Sequence, residues 1–97
     1  MDILTHSNGF QISEDLKEFI NKRVTKLETY IDKLTRVDVY LKLENHSQIK
    51  DKTLEIKIIL PGATMFASET SKSFEAATDE AVNSLRRQIK KHKDKRR

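Results

Sequence analysis

The 97-residue sequence has no cysteine and no tryptophan, one proline and two glycines. Without thiols there is no disulfide scaffold, no thiolate zinc site and no cysteine nucleophile, and a reducing compartment fits. Gly9 and Gly62 stand far apart. They make neither a glycine-rich phosphate loop nor the G-x-S-x-G elbow of a serine hydrolase. His6, His46 and His92 are equally scattered, with no H-x-x-x-H pair to seat a metal. No apolar run approaches the roughly 20 residues that cross a bilayer. The opening "MDILTHSNGF" lacks the basic and apolar regions of a secretory signal. The expectation is a cytoplasmic, non-enzymatic protein with no cofactor, metal or small-molecule substrate. A small hydrolase built on His6 or His46 lacks any organised constellation of partners.

What the chain does have is charge, unevenly placed. The formal net charge is +4, yet residues 1–85 carry 11 Lys/Arg against 14 Asp/Glu. The excess lies in the closing "RRQIKKHKDKRR" (86–97), with eight of the 19 basic residues and one acid. Such asymmetry points to a polyanionic partner.

Between the ends the hydrophobic period changes twice. "DILTHS" (2–7) predicts a short strand, and "SNG" supplies turn chemistry. Ser13 is a good N-cap, with Glu14, Asp15 and Glu18 complementing the helix dipole. Leu16, Ile20, Val24, Leu27, Ile31 and Leu34 then recur at three- and four-residue steps, predicting a helix of about 20 residues. Next, Val37, Val39, Leu41 and Leu43 alternate with polar residues, as in a strand with one buried face. "NHSQIKD" (45–51) predicts a hairpin connection, and Leu54, Ile56, Ile58 and Leu60 a second alternating strand. "PG" (61–62) makes a turn into a third strand at 63–69. Ser71 or Ser73 caps a last helix with Phe74, Ala77, Ala81, Leu85 and Ile89 on its apolar face. The order is β-α-β-β-β-α, an α+β class. Its economical packing is a four-stranded sheet with both helices on one face, leaving Asp38, Lys42, Glu44, Glu55 and Lys57 toward solvent.

At 100° per residue the last helix carries its cations in rows. Arg86, Lys90 and Lys93 lie beside the Leu85/Ile89 stripe, while Arg87, Lys91 and Lys95 lie near the opposite flank. Like charges four apart destabilise a helix by a few tenths of a kcal/mol per pair. The C-terminal dipole rewards two or three cations, not eight. On the first helix Lys22, Lys26 and Lys33 share a flank, with Arg23 between them and the apolar stripe. Packed side by side, the helices would present one basic patch to phosphates. Only Ile89 is apolar within 86–97, so no membrane anchor lies beneath the cations. Asn83 and Gln88 are the only amides at hand for reading base edges in a DNA groove. A phosphate-dominated contact with structured RNA suits the surface better.

"ISEDLKEFINKRVTKLETYIDKL" (12–34), "ASETSKSFEAATDEAVNSLRRQIKKHKDK" (67–95) and the strands between them resemble the ribosome hibernation promoting factor/protein Y family. The ending "LRRQIKKHKDK" is the most specific part, supported by A-A-x-D at 76–79 and L-E-x-Y at 27–30. The resemblance implies a β-α-β-β-β-α fold similar to a double-stranded-RNA-binding domain, and no enzymatic activity. It implies binding to the small ribosomal subunit and its rRNA, in the decoding-region channel of mRNA and tRNA. Bound there, family members silence translation in stress or stationary phase. By position, their rRNA-contacting residues correspond to Arg23 and Lys26 with Lys22 adjacent, and to Arg87, Lys91, Lys93 and Lys95. Arg86 and Lys90 are basic where relatives are often neutral. Residues 1–97 are expected to form a single ribosome-binding domain without the C-terminal dimerisation domain of long members. In short forms a separate protein partner supports ribosome dimerisation. Two alternatives share these features: a general double-stranded-RNA-binding module, and a protein-interaction adaptor using the open sheet face.

Overall fold

The computed structural model describes residues 2–44 and 51–95, with Lys95 through its backbone alone. The elements are β1 (Asp2–Ser7), α1 (Glu14–Thr25), a 3-10 turn (Lys26–Thr29), β2 (Arg36–Leu43), β3 (Lys52–Leu60), β4 (Ala63–Ser71) and α2 (Phe74–Lys95). The observed order is the β-α-β-β-β-α expected from the periodicity. One four-stranded sheet runs β1-β2-β3-β4, with β1 parallel to β2 and the other pairs antiparallel. A parallel neighbour requires a crossover, and α1 supplies it. The β3–β4 hairpin closes over Pro61 and Gly62, with Leu60 opposite Ala63. Proline presets its own φ and Gly62 takes φ +77°, where any other side chain is strained.

Register decides which residues meet the helices. Val37, Ile58 and Met65 form one cross-strand row, and Val39, Ile56 and Ala67 the next. All six are buried, together with Ile20, Val24 and Leu27 of the first helical segment and Phe74, Ala77, Ala81, Leu85 and Ile89 of α2. Both helices therefore cover one face. The caps are as anticipated: Ser13 Oγ accepts from the Leu16 amide at 3.1 Å, and Ser73 Oγ from the Ala76 amide at 3.1 Å. Thr78, fully buried among the apolar positions, satisfies its hydroxyl by donating to the Phe74 carbonyl at 2.6 Å.

The expected first helix of about 20 residues is too long. Its α-helical part ends at Thr25 and tightens into the 3-10 turn. Thr29 Oγ1 donates to the Lys26 carbonyl at 2.7 Å, and Lys33 takes φ +64°, which no right-handed helix accommodates. Ile31 and Leu34 still pack on the core, but from the connection into β2. Spacing alone recorded their burial and not their backbone. Leu43 also departs from expectation, since it is 48% exposed. Its partner across the sheet is Lys52, followed by Ser71, so the apolar rows have already ended there. The expected 45–51 connection lies outside the described residues up to 50, and β4 extends past 69 to Ser71.

Asp38, expected to face solvent, is 4% exposed. It does lie on the sheet face away from the helices, where neighbouring side chains cover it. Arg36 Nε donates to its Oδ1 at 3.1 Å and His6 Nε2 lies 3.5 Å from the same atom. His6 in turn stacks on Tyr40 with centroids 4.7 Å apart. Burial pushes the Asp38 carboxyl up, but hydrogen bonds and charge from Arg36 and His6 outweigh it and hold the group below its usual range. A carboxyl depressed in the folded state contributes stability that is complete above its unfolded pKa, near 3.9 for a free aspartate. That contribution is lost as pH falls through the lower folded value. Denaturant midpoints measured from pH 6 downward are therefore expected to drop less steeply below pH 4 for Asp38→Asn than for wild type. Parallel acid slopes would remove Asp38 as a source of the acid sensitivity.

Candidate nucleic-acid interface

The end of the molecule that gathers the cations is set by chain direction. β4 runs from Ala63 to Ser71, and α2 turns back along it, Gln88 Nε2 donating to the Phe66 carbonyl at 2.9 Å. Ile89 is the last buried apolar residue of α2, and the helix continues to Lys95. Its basic segment thus lies beside the 3-10 turn that ends the first helical segment.

Two contacts join the helices along their length. Arg23 Nε donates to Asp79 Oδ1 at 2.8 Å, while its guanidinium sits 4.5 Å from the centroid of the Phe19 ring. Further on, Lys93 Nζ donates to the Tyr30 carbonyl at 2.9 Å. Arg23 and Lys93, both candidate RNA-binding residues, therefore also bind the protein itself. Both Arg23 and Asp79 side chains are more than a third exposed. Solvent screening limits such a pair to about 1 kcal/mol or less. A double-mutant cycle with Arg23→Gln and Asp79→Asn, followed by denaturant unfolding, is expected to give a coupling near 0.5 kcal/mol. A coupling of zero would make the contact incidental.

Lys22, Lys26, Arg86, Arg87, Lys90 and Lys91 are exposed, and no ion pair or hydrogen bond engages their side chains among the described residues. Lys22 and Lys26 lie on the first helical segment, and the other four on α2. The two sets therefore lie on elements that touch, through Arg23 on Asp79 and Lys93 on the Tyr30 carbonyl. Lys33 is not on the first helical segment: the short helix leaves it beyond the turn, beside Asp32, Pro61 and His92. The side chain of Lys95, with Arg96 and Arg97, lies outside the described residues.

The two cationic rows differ in surroundings. Arg86, Lys90 and Lys93 border a cavity of about 700 Å³ between α2 and the residue after the 3-10 turn, floored in part by Ile89. Arg87, Tyr30 and Asp94 complete the lining. Tyr30 is 38% exposed. Residue type alone gave no reason to join Tyr30 and Asp94 to the cations. The only signals were an aromatic closing the L-E-x-Y stretch and the single acid within 86–97.

Residues 3–97 match the family model described as sigma 54 modulation protein / S30EA ribosomal protein. The chain belongs to this family. Among curated relatives, a ribosome hibernation promoting factor of Escherichia coli K12 is 36% identical over 95 residues, spanning 98% of this chain and 96% of the relative. A ribosome hibernation promoting factor of Pseudomonas putida KT2440 is 31% identical over 95 residues, spanning 98% of this chain and 89% of that one. The fold matches a ribosomal subunit interface protein from Coxiella burnetii with TM-score 0.86 and 23% identity, covering 97% of this chain and 99% of that one. It also matches the N-terminal domain of Thermus thermophilus protein Y with TM-score 0.77 and 25% identity, covering 94% of each chain. The sequence resemblance to the hibernation factors therefore holds over nearly the whole S30EA-family chain.

Proposed function

We propose that this chain is a ribosome hibernation factor, binding the small subunit in the mRNA and tRNA channel of the decoding region and silencing translation by occlusion. The supporting observation is that two touching helical segments each carry exposed cations, Lys22 and Lys26 on the first and Arg86, Arg87, Lys90 and Lys91 on α2. Counter-ions condensed on RNA are released when such a surface meets phosphates, so affinity is gained without sequence reading. Arg23, Lys93 and Lys95 complete the proposed rRNA contacts, the first two from positions already held by the protein. The relatives named as hibernation promoting factors support the ribosome as partner.

Co-sedimentation with separated ribosomal subunits across a salt series tests the reading. Pelleting with the small subunit, weakening steeply with salt, is the expected result, together with loss of initiator-tRNA binding to those subunits. Pelleting that leaves tRNA binding intact would overturn occlusion; absence of pelleting at low salt would overturn the ribosome as partner. Charge reversal of Lys42 and Lys57 on the open sheet face is expected to change small-subunit affinity by less than about threefold. Lys42 is already paired with Glu55 at 3.0 Å, and long-range effects between exposed charges are screened beyond about 8 Å at physiological salt. A large loss would instead move the binding surface to the sheet.

A further inference from the structure

Phosphate binding needs cations and no cavity, yet the basic end of this molecule borders an open concavity of about 700 Å³. That volume is within the range of small-ligand sites, roughly 300–1,000 Å³, and a single nucleotide fits inside it. The lining is also chemically mixed in a way a phosphate clamp does not require. Tyr30 contributes a partly exposed aromatic residue, Arg86 and Lys90 exposed cations with no ion pair among the described residues, and Asp94 a carboxylate. Lys93 ties α2 to the Tyr30 carbonyl, which holds the wall carrying that ring against the helix. Among the described residues Asp94 has no ion-pair partner, although Lys90 stands one helical turn before it.

We propose that this cavity receives one unstacked guanine nucleotide of the bound RNA, a reading that rests on the proposed RNA-binding function. Bases released from a helix are held by stacking on aromatic rings and by hydrogen bonds to their Watson–Crick edges. Tyr30 supplies the ring, and Arg86 and Lys90 meet the flanking phosphates. The carboxylate selects the base. Guanine alone offers two adjacent donors, N1–H and the N2 amine, to the two oxygens of Asp94. Adenine presents an acceptor at N1, uracil flanks its one donor with carbonyls, and cytosine has a single amine. The cationic wall keeps an acidic group from repelling the RNA as a whole.

The probes are an RNA hairpin with one bulged guanine, the same hairpin fully paired, and versions with bulged adenine or bulged inosine, which lacks the N2 amine. Binding is measured by fluorescence anisotropy at fixed salt. The bulged guanine is expected to bind about tenfold tighter than the paired, adenine or inosine hairpins, the discrimination of a good two-point base contact. Asp94→Asn should abolish that preference while leaving the paired hairpin unchanged. Tyr30→Ala should weaken the bulged guanine hairpin roughly tenfold, as loss of one base–aromatic stack does. Tyr30→Phe, which keeps the ring, should not. Equal binding of all hairpins by wild type, or a guanine preference that survives Asp94→Asn, would overturn the assignment. Free GMP displacing the bulged hairpin at equal concentration would overturn RNA as the source of the nucleotide. Small-subunit pelleting distinguishes the two levels. Normal pelleting without base preference overturns the guanine pocket alone. Base preference without pelleting overturns the ribosomal reading and leaves the pocket standing.

Discussion

Replacing Arg86, Arg87, Lys90 and Lys91 together by glutamine is expected to lower the slope of log affinity against log salt for small-subunit binding by about three units. Each neutralised phosphate contributes roughly 0.7 to 0.9 to that slope. At 0.1 M salt the corresponding affinity loss is on the order of a thousandfold. The fold should survive, because all four side chains are exposed and none belongs to the apolar stripe. Two opposing local effects nearly cancel. The substitutions relieve like-charge pairs four residues apart, worth a few tenths of a kcal/mol each, and remove cations that favour the helix C-terminus by a similar amount. Thermal unfolding should therefore shift little. The control removes the same number of charges elsewhere, at Lys17, Lys42, Lys57 and Lys72, all exposed and away from the basic end. If binding responds only to net charge, the two variants will behave alike and the helical surface is not the site. A slope change below one unit in the control would assign the contacts to α2.

The second large effect concerns the packing that presents this surface. Leu85 is completely buried between α2 and the sheet, one residue before the first of the α2 cations. Leu85→Ala is expected to cost about 2–5 kcal/mol, from lost apolar transfer and the cavity left behind. For a domain of this size each kcal/mol moves the melting temperature by roughly 4–8 °C, so a fall of 10 °C or more should be seen. Leu43→Ala, the same change at a position 48% exposed, should stay within about 0.5 kcal/mol of wild type. The comparison sets a fully buried leucine of α2 against a half-exposed leucine of β2. Denaturant unfolding gives both values from the shift in midpoint at constant slope. Equal costs would mean that α2 does not dock through Leu85.

The sequence by itself determined the order of elements, the Ser13 cap, the Pro61–Gly62 turn and nearly all of the core, and it narrowed the second cap to Ser71 or Ser73. Local chemistry suffices there: a two-residue or a 3.6-residue period commits a segment to one backbone form before any partner is met. The same spacing determined that Arg87 and Lys91 lie on the flank away from the stripe of Leu85 and Ile89, with Arg86 and Lys90 beside it. The stripe from Leu16 to Leu34 misled only about backbone form. Burial recurs at three- and four-residue steps in an α-helix, a 3-10 turn and a well-placed connection alike.

Only the tertiary structure decided the rest, because the remaining choices lie between residues distant in the chain. Strand register left Leu43 in solvent opposite Lys52 and placed Asp38 under His6 and Arg36, where burial and charge compete over one carboxyl. Helix packing drew Arg23 onto Asp79 and Lys93 onto the Tyr30 carbonyl, so that two candidate RNA contacts also tie elements together. It also set Tyr30 and Asp94 with the cations around one open cavity. Those two side chains are 64 positions apart in the sequence. A sequence pattern records which face of its own helix a side chain takes, whereas the surface across from that face is set by how the helices dock.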